Sequence, residues 1–222
     1  MKLKQGEKSE RSRVAILEAA LRLFSKQGYR GTSIRDIAED AGVSTGNVYH
    51  HFADKESLFR TLLDQYWTAI DSPDFPFNRA LAAGAFPGNL EALARAAEES
   101  VRDYRHYVAL IYVDVVEFDG THIRKFYSEM SGRFASFLAR SFPPGSLEER
   151  LAPGVDSTTA VMLASRVFLQ YYAVEILFGV PEQFGKDSDR VMGEIAEILR
   201  HGMLREHSTP TVENPVLLRT RR

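Results

Sequence analysis

Apolar residues recur at three- and four-residue spacing along most of the chain, and no segment shows a convincing alternation of apolar and polar positions. This period is that of α-helices, so the pattern predicts an all-α fold. Residues 71–88 contain Pro73, Pro76 and Pro87 and are predicted to form a connector with one helical turn. The predicted helices span residues 12–27, 34–41, 45–51, 55–70, 89–120 (with a bend near residue 105), 121–142, 156–178 and 187–205.

Residues 34–52 carry the most specific pattern in the chain. Two short predicted helices are joined by a turn at Gly42, and Ala38 lies where the second helix crosses the first closely. Inward-facing apolar residues supply a small core: Ile37, Val43, Val48 and Phe52. This is the arrangement of a helix-turn-helix, whose second helix enters the major groove of DNA. We therefore predict a DNA-binding head.

The charge distribution favours the same prediction. Residues 1–60 hold 11 Lys and Arg against 8 Asp and Glu, whereas residues 61–222 hold 17 against 22. A mildly basic head on an acidic body suits an anionic partner for the head. The first residues form a basic arm that either follows the DNA phosphates or is solvated and disordered; it contains Lys2, Lys4, Lys8, Arg11 and Arg13.

The head resembles the TetR family of transcriptional regulators. The resemblance covers residues 12–60, and the matching segments are 19–24, 28–29, 32–38, 41–49 and 50–58. It implies a three-helix helix-turn-helix DNA-binding domain at residues 1–54. It further implies a C-terminal helical ligand-binding and dimerisation domain at residues 55–205. Residues 206–222 are expected to be a mobile tail.

Ten residues are candidate DNA contacts. Gly46 lets the backbone approach DNA, and the side chains of Asn47 and His50 can read base edges. Hydroxyl and backbone N–H groups at helix starts suit phosphate, and a lysine adds a point charge. The set is Thr32, Ser33, Arg35, Ser44, Thr45, Gly46, Asn47, Tyr49, His50 and Lys55.

The helical body is expected to hold a small-molecule effector that is partly apolar. Asp114 lies on one helical face with Tyr107 and Ile111 inside an apolar stretch, so it is either a ligand contact or a paired structural acid. The predicted ligand contacts are Tyr104, Tyr107, Ile111, Asp114, Arg166 and Gln170. An aromatic stripe suits either the core or one wall of an apolar pocket; it comprises Phe126, Tyr127, Met130, Phe134 and Phe137.

The resemblance implies a ligand-responsive repressor that a small molecule releases from double-stranded DNA. The last two helices have broad apolar faces, which predicts a homodimer that presents two recognition helices to a palindromic operator. Ligand entry would shift the helix at residues 55–70 and change the spacing of the recognition helices. Two alternatives stay open: an activator or constitutive DNA-binding protein, and a serine hydrolase. The hydrolase alternative rests on the G-x-S-x-G match at residues 42–46. In a hydrolase, that motif requires a strand before the serine, here Ser44.

Composition narrows the remaining classes. The chain has no Cys, which excludes a disulfide framework, a thiol nucleophile and Cys-ligated zinc. It has no uninterrupted apolar run of about 18 residues, and its charged start lacks the apolar region of a secretory signal. We therefore expect a cytoplasmic protein without membrane contact. We predict no cofactor, no metal site and no enzymatic activity.

Overall fold

A computed structural model of the chain describes residues 5–201, leaving out the side chain of residue 5. These residues form ten α-helices and one 3-10 turn and contain no strand, which confirms the all-α prediction. The helices are α1 (Gln5–Gln27), α2 (Ile34–Asp40), α3 (Thr45–His51), α4 (Lys55–Asp71), α5 (Pro76–Ala82), α6 (Leu90–Asp103), α7 (Arg105–Phe118), α8 (Ile123–Ser141), α9 (Ser157–Leu177) and α10 (Ser188–His201). The expected tail at 206–222 lies outside the described residues.

Helix α1 begins seven residues earlier than predicted. Residues 5–13 of the basic arm are helical, so the alternative of a disordered arm is wrong for them. Glu7 in the first turn complements the helix dipole, and Arg13 pairs with Glu10 one turn away. Lys8 and Arg11 are therefore carried on a rigid element, whereas Lys2 and Lys4 lie outside the described residues.

The predicted connector contains a packed helix, α5. Its first residue is Pro76, at a position where a missing N–H costs nothing and a fixed φ assists the helix. Phe77 and Leu81 are buried in the core of the body. The side-chain amide of Asn78 donates to the carbonyls of Ile70 and Ser72 at 2.6 and 2.9 Å. Residues 71–88 thus brace the end of α4.

Two hydrophobic cores divide the molecule, and α4 contributes to both. The head core joins α1, α2 and α3 to Leu58, Phe59, Leu62 and Leu63 of α4. The body core lies mainly between α6 and α9, and Ile70 at the other end of α4 packs against it. A single continuous helix therefore belongs to the head at its start and to the body at its end.

Helix α9 is the one described helix that is long and apolar enough, by length and composition, to cross a membrane. It also packs lengthwise against α6, with Val161, Ala164 and Phe168 buried in the body core. A core helix of a globular protein passes the same test of length and composition.

Gly42 should be required by the handedness of its backbone. Its φ is +66°, where a residue with a Cβ costs about 1–2 kcal/mol. No heavy atom lies within 4 Å of an added Cβ, so steric crowding contributes nothing. We expect Gly42→Ala to lower the free energy of unfolding, measured in urea, by about 1–2 kcal/mol. Gly46→Ala is the control, because Gly46 is helical and an added Cβ meets only Ser44 Oγ at 3.9 Å. Equal losses in both variants would contradict this explanation.

Candidate nucleic-acid interface and effector cavity

Side-chain caps fix the starts of α2, α3 and α4. Ser33 and Asp36 form a reciprocal capping box at α2, and Asp54 and Ser57 form one at α4. At α3, Ser44 Oγ accepts the backbone N–H of Asn47 at 3.2 Å. Each cap satisfies an N–H that the first turn of a helix leaves free. The caps therefore hold α3 in a defined register after its turn.

The buried face of α3 determines which face meets solvent. Val48 is fully buried against Ile37 and Ala38 of α2 and against Phe52. The opposite face is open, and Tyr49 is 57% exposed. Seven of the predicted DNA contacts are exposed: Ser33, Arg35, Ser44, Thr45, Gly46, Tyr49 and His50. Exposure places these residues where DNA can reach them; their individual contacts stay predictions.

Thr32 does not belong to this surface. Its side chain is only 1% exposed, and its hydroxyl donates to the carbonyl of Gly28 at 2.8 Å. The prediction of a DNA contact through this side chain is wrong, because Ser33 is the residue that caps α2. Asn47 is half-buried, and its Oδ1 is buried with no hydrogen-bond partner among the described residues.

Lys55 is engaged inside the head. Its ammonium donates to the carbonyls of Tyr29 and Thr32, each at 2.8 Å, and lies 4.1 Å from the centroid of the Tyr29 ring. Burial lowers the pKa of this ammonium below its ordinary value. Two of its three N–H donors are thus used, which leaves one for a phosphate. Removing Lys55 would change the fold of the 28–32 loop as well as the charge.

The start of α1 lies beside the recognition helix. Lys8 and Arg11 border an open groove of about 490 Å³ whose other side is formed by Asn47, His50 and His51. Burial, with the neighbouring His50 and Arg13, lowers the pKa of the His51 imidazole, so its neutral form is favoured. The sequence indicated a basic arm but gave no sign that it is a helix aligned with α3.

The Ser44 hydroxyl has the environment of a helix cap. It accepts the N–H of Asn47, and the segment before it is the turn after helix α2. A nucleophile elbow needs a strand at that place, and residues 5–201 contain none. The geometry required by the hydrolase alternative is therefore missing from the described residues.

The body contains a cavity of about 700 Å³ between α4, α7, α8 and α9. Three of the predicted ligand contacts line it: Ile111, Arg166 and Gln170. The aromatic stripe of α8, from Phe126 to Phe137, forms one wall, and Phe134 and Phe137 also pack against the body core, so the structure shows both interpretations. The volume and the mainly apolar wall are those of a small-molecule site.

The other three predicted ligand contacts lie outside the cavity lining. Tyr104 packs against the rings of Tyr66 and Phe75, and Tyr107 stacks on Tyr66 with centroids 5.6 Å apart. Asp114 is fully buried. Its carboxylate contacts His122 Nδ1 at 2.5 Å and accepts the N–H of Ile123 at 3.2 Å. Asp114 is the paired structural acid of the two alternatives.

Several polar contacts join the body to the head, among them Ser25 Oγ with His106 Nδ1 at 3.0 Å and two contacts that involve carboxylates. Glu117 of α7 accepts the backbone N–H groups of Tyr29 and Arg30 at 2.8 and 2.7 Å. His122, held by Asp114, lies with its Nε2 3.4 Å from Glu56 of α4. Both partners are more than 60 positions away in sequence, and only the fold brings them together. Helix α7 therefore carries a cavity residue, Ile111, and a head contact.

A capped helix-turn-helix with an exposed second helix, fused to an all-helical body with a cavity, defines the class of helical DNA-binding regulators. Residues 16–62 match the family of bacterial regulatory proteins named the tetR family. This match confirms, over residues 16–62, the resemblance stated from the sequence.

Proteins similar to this chain are named as transcriptional repressors. The transcriptional repressor KstR2 of Rhodococcus jostii is 35% identical over 106 residues, which cover 47% of this chain and 50% of KstR2. The matched part thus spans about half the length of this curated relative. Among solved structures, NalD of Pseudomonas aeruginosa, the secondary repressor of the MexAB-OprM multidrug efflux pump, superposes with a TM-score of 0.57 at 24% identity, covering 89% of this chain and 99% of NalD. AibR in complex with isovaleryl coenzyme A and operator DNA gives 0.56 at 22% identity, covering 86% and 98%. These two likenesses show the fold.

Loss of the Glu117 carboxylate should destabilise the joint between head and body. Glu117→Ala leaves two backbone N–H groups without their charged acceptor, and hydrogen bonds to charged groups contribute about 2 kcal/mol each. We expect the free energy of unfolding in urea to fall by at least about 2 kcal/mol. The matched control is Glu99→Ala, because Glu99 is 49% exposed and pairs with exposed Arg79. Its loss should cost about 0.5 kcal/mol or less. A Glu117 variant as stable as the control would refute this role.

Proposed function

We propose that the protein is a ligand-responsive transcriptional repressor that binds double-stranded DNA in the cytoplasm as a homodimer. The observation that carries this proposal is the exposed face of α3 in a tetR-family head whose supporting helices α4 and α7 also line the 700 Å³ cavity. The name of KstR2, a repressor, favours repression over activation. No enzymatic step is part of the proposal.

The recognition helix suits the major groove. A helix with its side chains is about 10–12 Å across and the groove is about 12 Å wide. Asn47 and His50 would face base edges, while the capped starts of α2 and α3 would present hydroxyl and N–H groups to phosphates. Lys8 and Arg11 on α1 would add phosphate contacts beside the same groove.

The last two helices offer a surface for a second copy of the chain. Large apolar side chains on α9, on α10 and between them are exposed: Leu163 by 51%, Phe178 by 54%, Phe184 by 60% and Ile198 by 46%. Exposed apolar side chains grouped on one part of a surface are typical of protein–protein contacts. A twofold pair through α9 and α10 would place two recognition helices on the half-sites of a palindrome.

Release from DNA would follow from movement of α4 and α7. Trp67 of α4 and Ile111 of α7 line the cavity, while Lys55 and Glu117 on the same two helices hold the head. A ligand that fits the cavity better in one arrangement of these helices favours that arrangement. DNA affinity then falls by no more than the ligand's preference between the two states.

DNA titrations should distinguish residues that read bases from residues that contact phosphates. DNA fragments selected by the protein from the genome of its host and random duplexes of equal length would be titrated by fluorescence anisotropy over a range of salt. Asn47→Ala should lose about tenfold in affinity for the selected site and little for random DNA. Arg11→Ala should weaken binding to both and lower the slope of log K against log salt by about one.

Equal losses on both DNAs would contradict a base-reading role for Asn47. An unaltered protein that ignores duplex DNA at low salt would overturn the proposed function. A reporter gene placed behind the selected site distinguishes a repressor from an activator. Deleting the gene of a repressor raises transcription of the reporter, and deleting the gene of an activator lowers it.

The proposed dimer is tested by a charge in its apolar surface. Ile198→Glu on α10 should convert the protein to monomers in sedimentation velocity and lower its affinity for a palindromic site. Val14→Glu is the matched control for the sedimentation readout, because Val14 is apolar and 43% exposed but lies on α1 of the head. A monomeric unaltered chain, or equal effects of both substitutions, would refute this dimer.

A further inference from the structure

The wall of the cavity carries an excess of positive charge. Of the described residues that line it, three are arginines, Arg133, Arg140 and Arg166, and one, Asp71, is a carboxylate. The remainder are mainly aromatic and aliphatic. An apolar cavity with unbalanced guanidinium groups differs from a site built only for neutral apolar molecules, because an unpaired charge next to apolar surface is costly.

The single acid is already paired. Arg133 donates to Asp71 through Nη1 and to Glu129 through Nη2, the latter at 3.3 Å. Its guanidinium lies 5.1 Å from the centroid of the Phe126 ring. A further donor, Nε, is buried and has no hydrogen-bond partner among the described residues. Nη1 and Nη2 each carry a second N–H, so Arg133 keeps donors that Asp71 and Glu129 do not take.

Arg166 is more open to a ligand. Its one hydrogen bond runs from Nη2 to the sulfur of Met130 at 3.6 Å, and a thioether is a weak acceptor. No carboxylate of the described residues forms an ion pair with it. The guanidinium lies 6.0 Å from the centroid of Tyr127, whose ring is 5.7 Å from that of Phe126. Arg133 and Arg166 thus sit on two adjacent rings of the same wall.

This arrangement discriminates between classes of ligand. An organic cation is disfavoured by the excess of positive charge in the lining, because Asp71 is the single carboxylate among the lining residues described and is paired with Arg133. A neutral ligand would bring no opposite charge to the exposed guanidinium of Arg166. A carboxylate matches the planar guanidinium and accepts two parallel N–H bonds from it.

Taking the effector role of the cavity from the proposed function, we propose that it binds an amphipathic organic anion with an apolar body and one carboxylate head. Arg166 donates to the carboxylate, and Arg133 adds a second positive charge on the same wall. The aromatic wall of α8 and Trp67 hold the apolar body.

Trp67 provides a direct readout, because it is the single Trp of the chain and lines the cavity. Its ring stacks on Phe126 with centroids 3.9 Å apart, so an entering ligand changes its surroundings. The full-length protein without DNA would be titrated with decanoate and 4-phenylbutyrate, each beside its alcohol and amine counterparts. We expect at least one acid to bind about ten- to a hundredfold more tightly than its alcohol. Both amines should bind more weakly than their alcohols.

Substitution of Arg166 assigns the effect to its guanidinium. Arg166→Met should lose about tenfold or more for the acid and leave the affinity for the alcohol unchanged. Arg166→Lys should recover part of the loss, because it restores the charge without the planar fork. The control is Arg95→Met, since Arg95 is exposed on α6 and outside the cavity lining, and its acid affinity should equal that of the unaltered chain.

Two outcomes would overturn the proposal. In the first, neither acid binds more tightly than its alcohol. In the second, Arg166→Met loses acid binding and also dissociates to monomers in sedimentation, which would make Arg166 an interface residue. The proposed function fails separately. Acid binding that leaves DNA affinity unchanged would refute the effector mechanism while the ligand class stands. Normal DNA binding with no response to either acid would refute the ligand class alone.

Discussion

The attachment of the loop at residues 28–32 is the constraint that couples the head to the body. Opposite charges hold this loop from two sides: Glu117 accepts the N–H groups of Tyr29 and Arg30, and Lys55 donates to the carbonyls of Tyr29 and Thr32. The ring of Tyr29 is also packed against Phe118, with centroids 4.5 Å apart. Because Glu117 belongs to α7 and Lys55 to α4, the head cannot turn independently of either helix. The polar contacts are charge-assisted, so a small displacement of either helix has an energetic cost that the head must share.

The local features of the head were predictable because short-range rules determine them. Ser44 and Asp54 each stand directly before an apolar helical run, where a cap is expected, and Gly42 marks the turn. The same rules could not choose between Thr32 and Ser33, two adjacent hydroxyls at one helix start. Only the packing of the first helix decides that Thr32 turns inward to Gly28 and Ser33 outward to cap. Helix α5 is longer than the single helical turn predicted at residues 71–88, because proline was taken as a breaker although it also begins helices.

The cavity was predictable only in part, because a helical period gives faces and not their partners. Ile111, Arg166 and Gln170 do face the cavity, while Asp114 faces the loop before α8, where His122 and a backbone N–H receive it. The unpaired state of Arg166 and the buried Nε of Arg133 depend on distances between α4, α8 and α9. Such distances come from the tertiary arrangement and have no signature in a single sequence.

Helix α4 packs in the head with one set of turns and lines the cavity with another. The residues of α4 from Leu58 to Leu63 pack in the head core, whereas the residues that line the cavity begin at Tyr66. In the proposed function, substitutions at the cavity end of α4 therefore change which small molecule is bound and leave the DNA-binding surface intact. Such a protein would acquire a new effector and keep its operator.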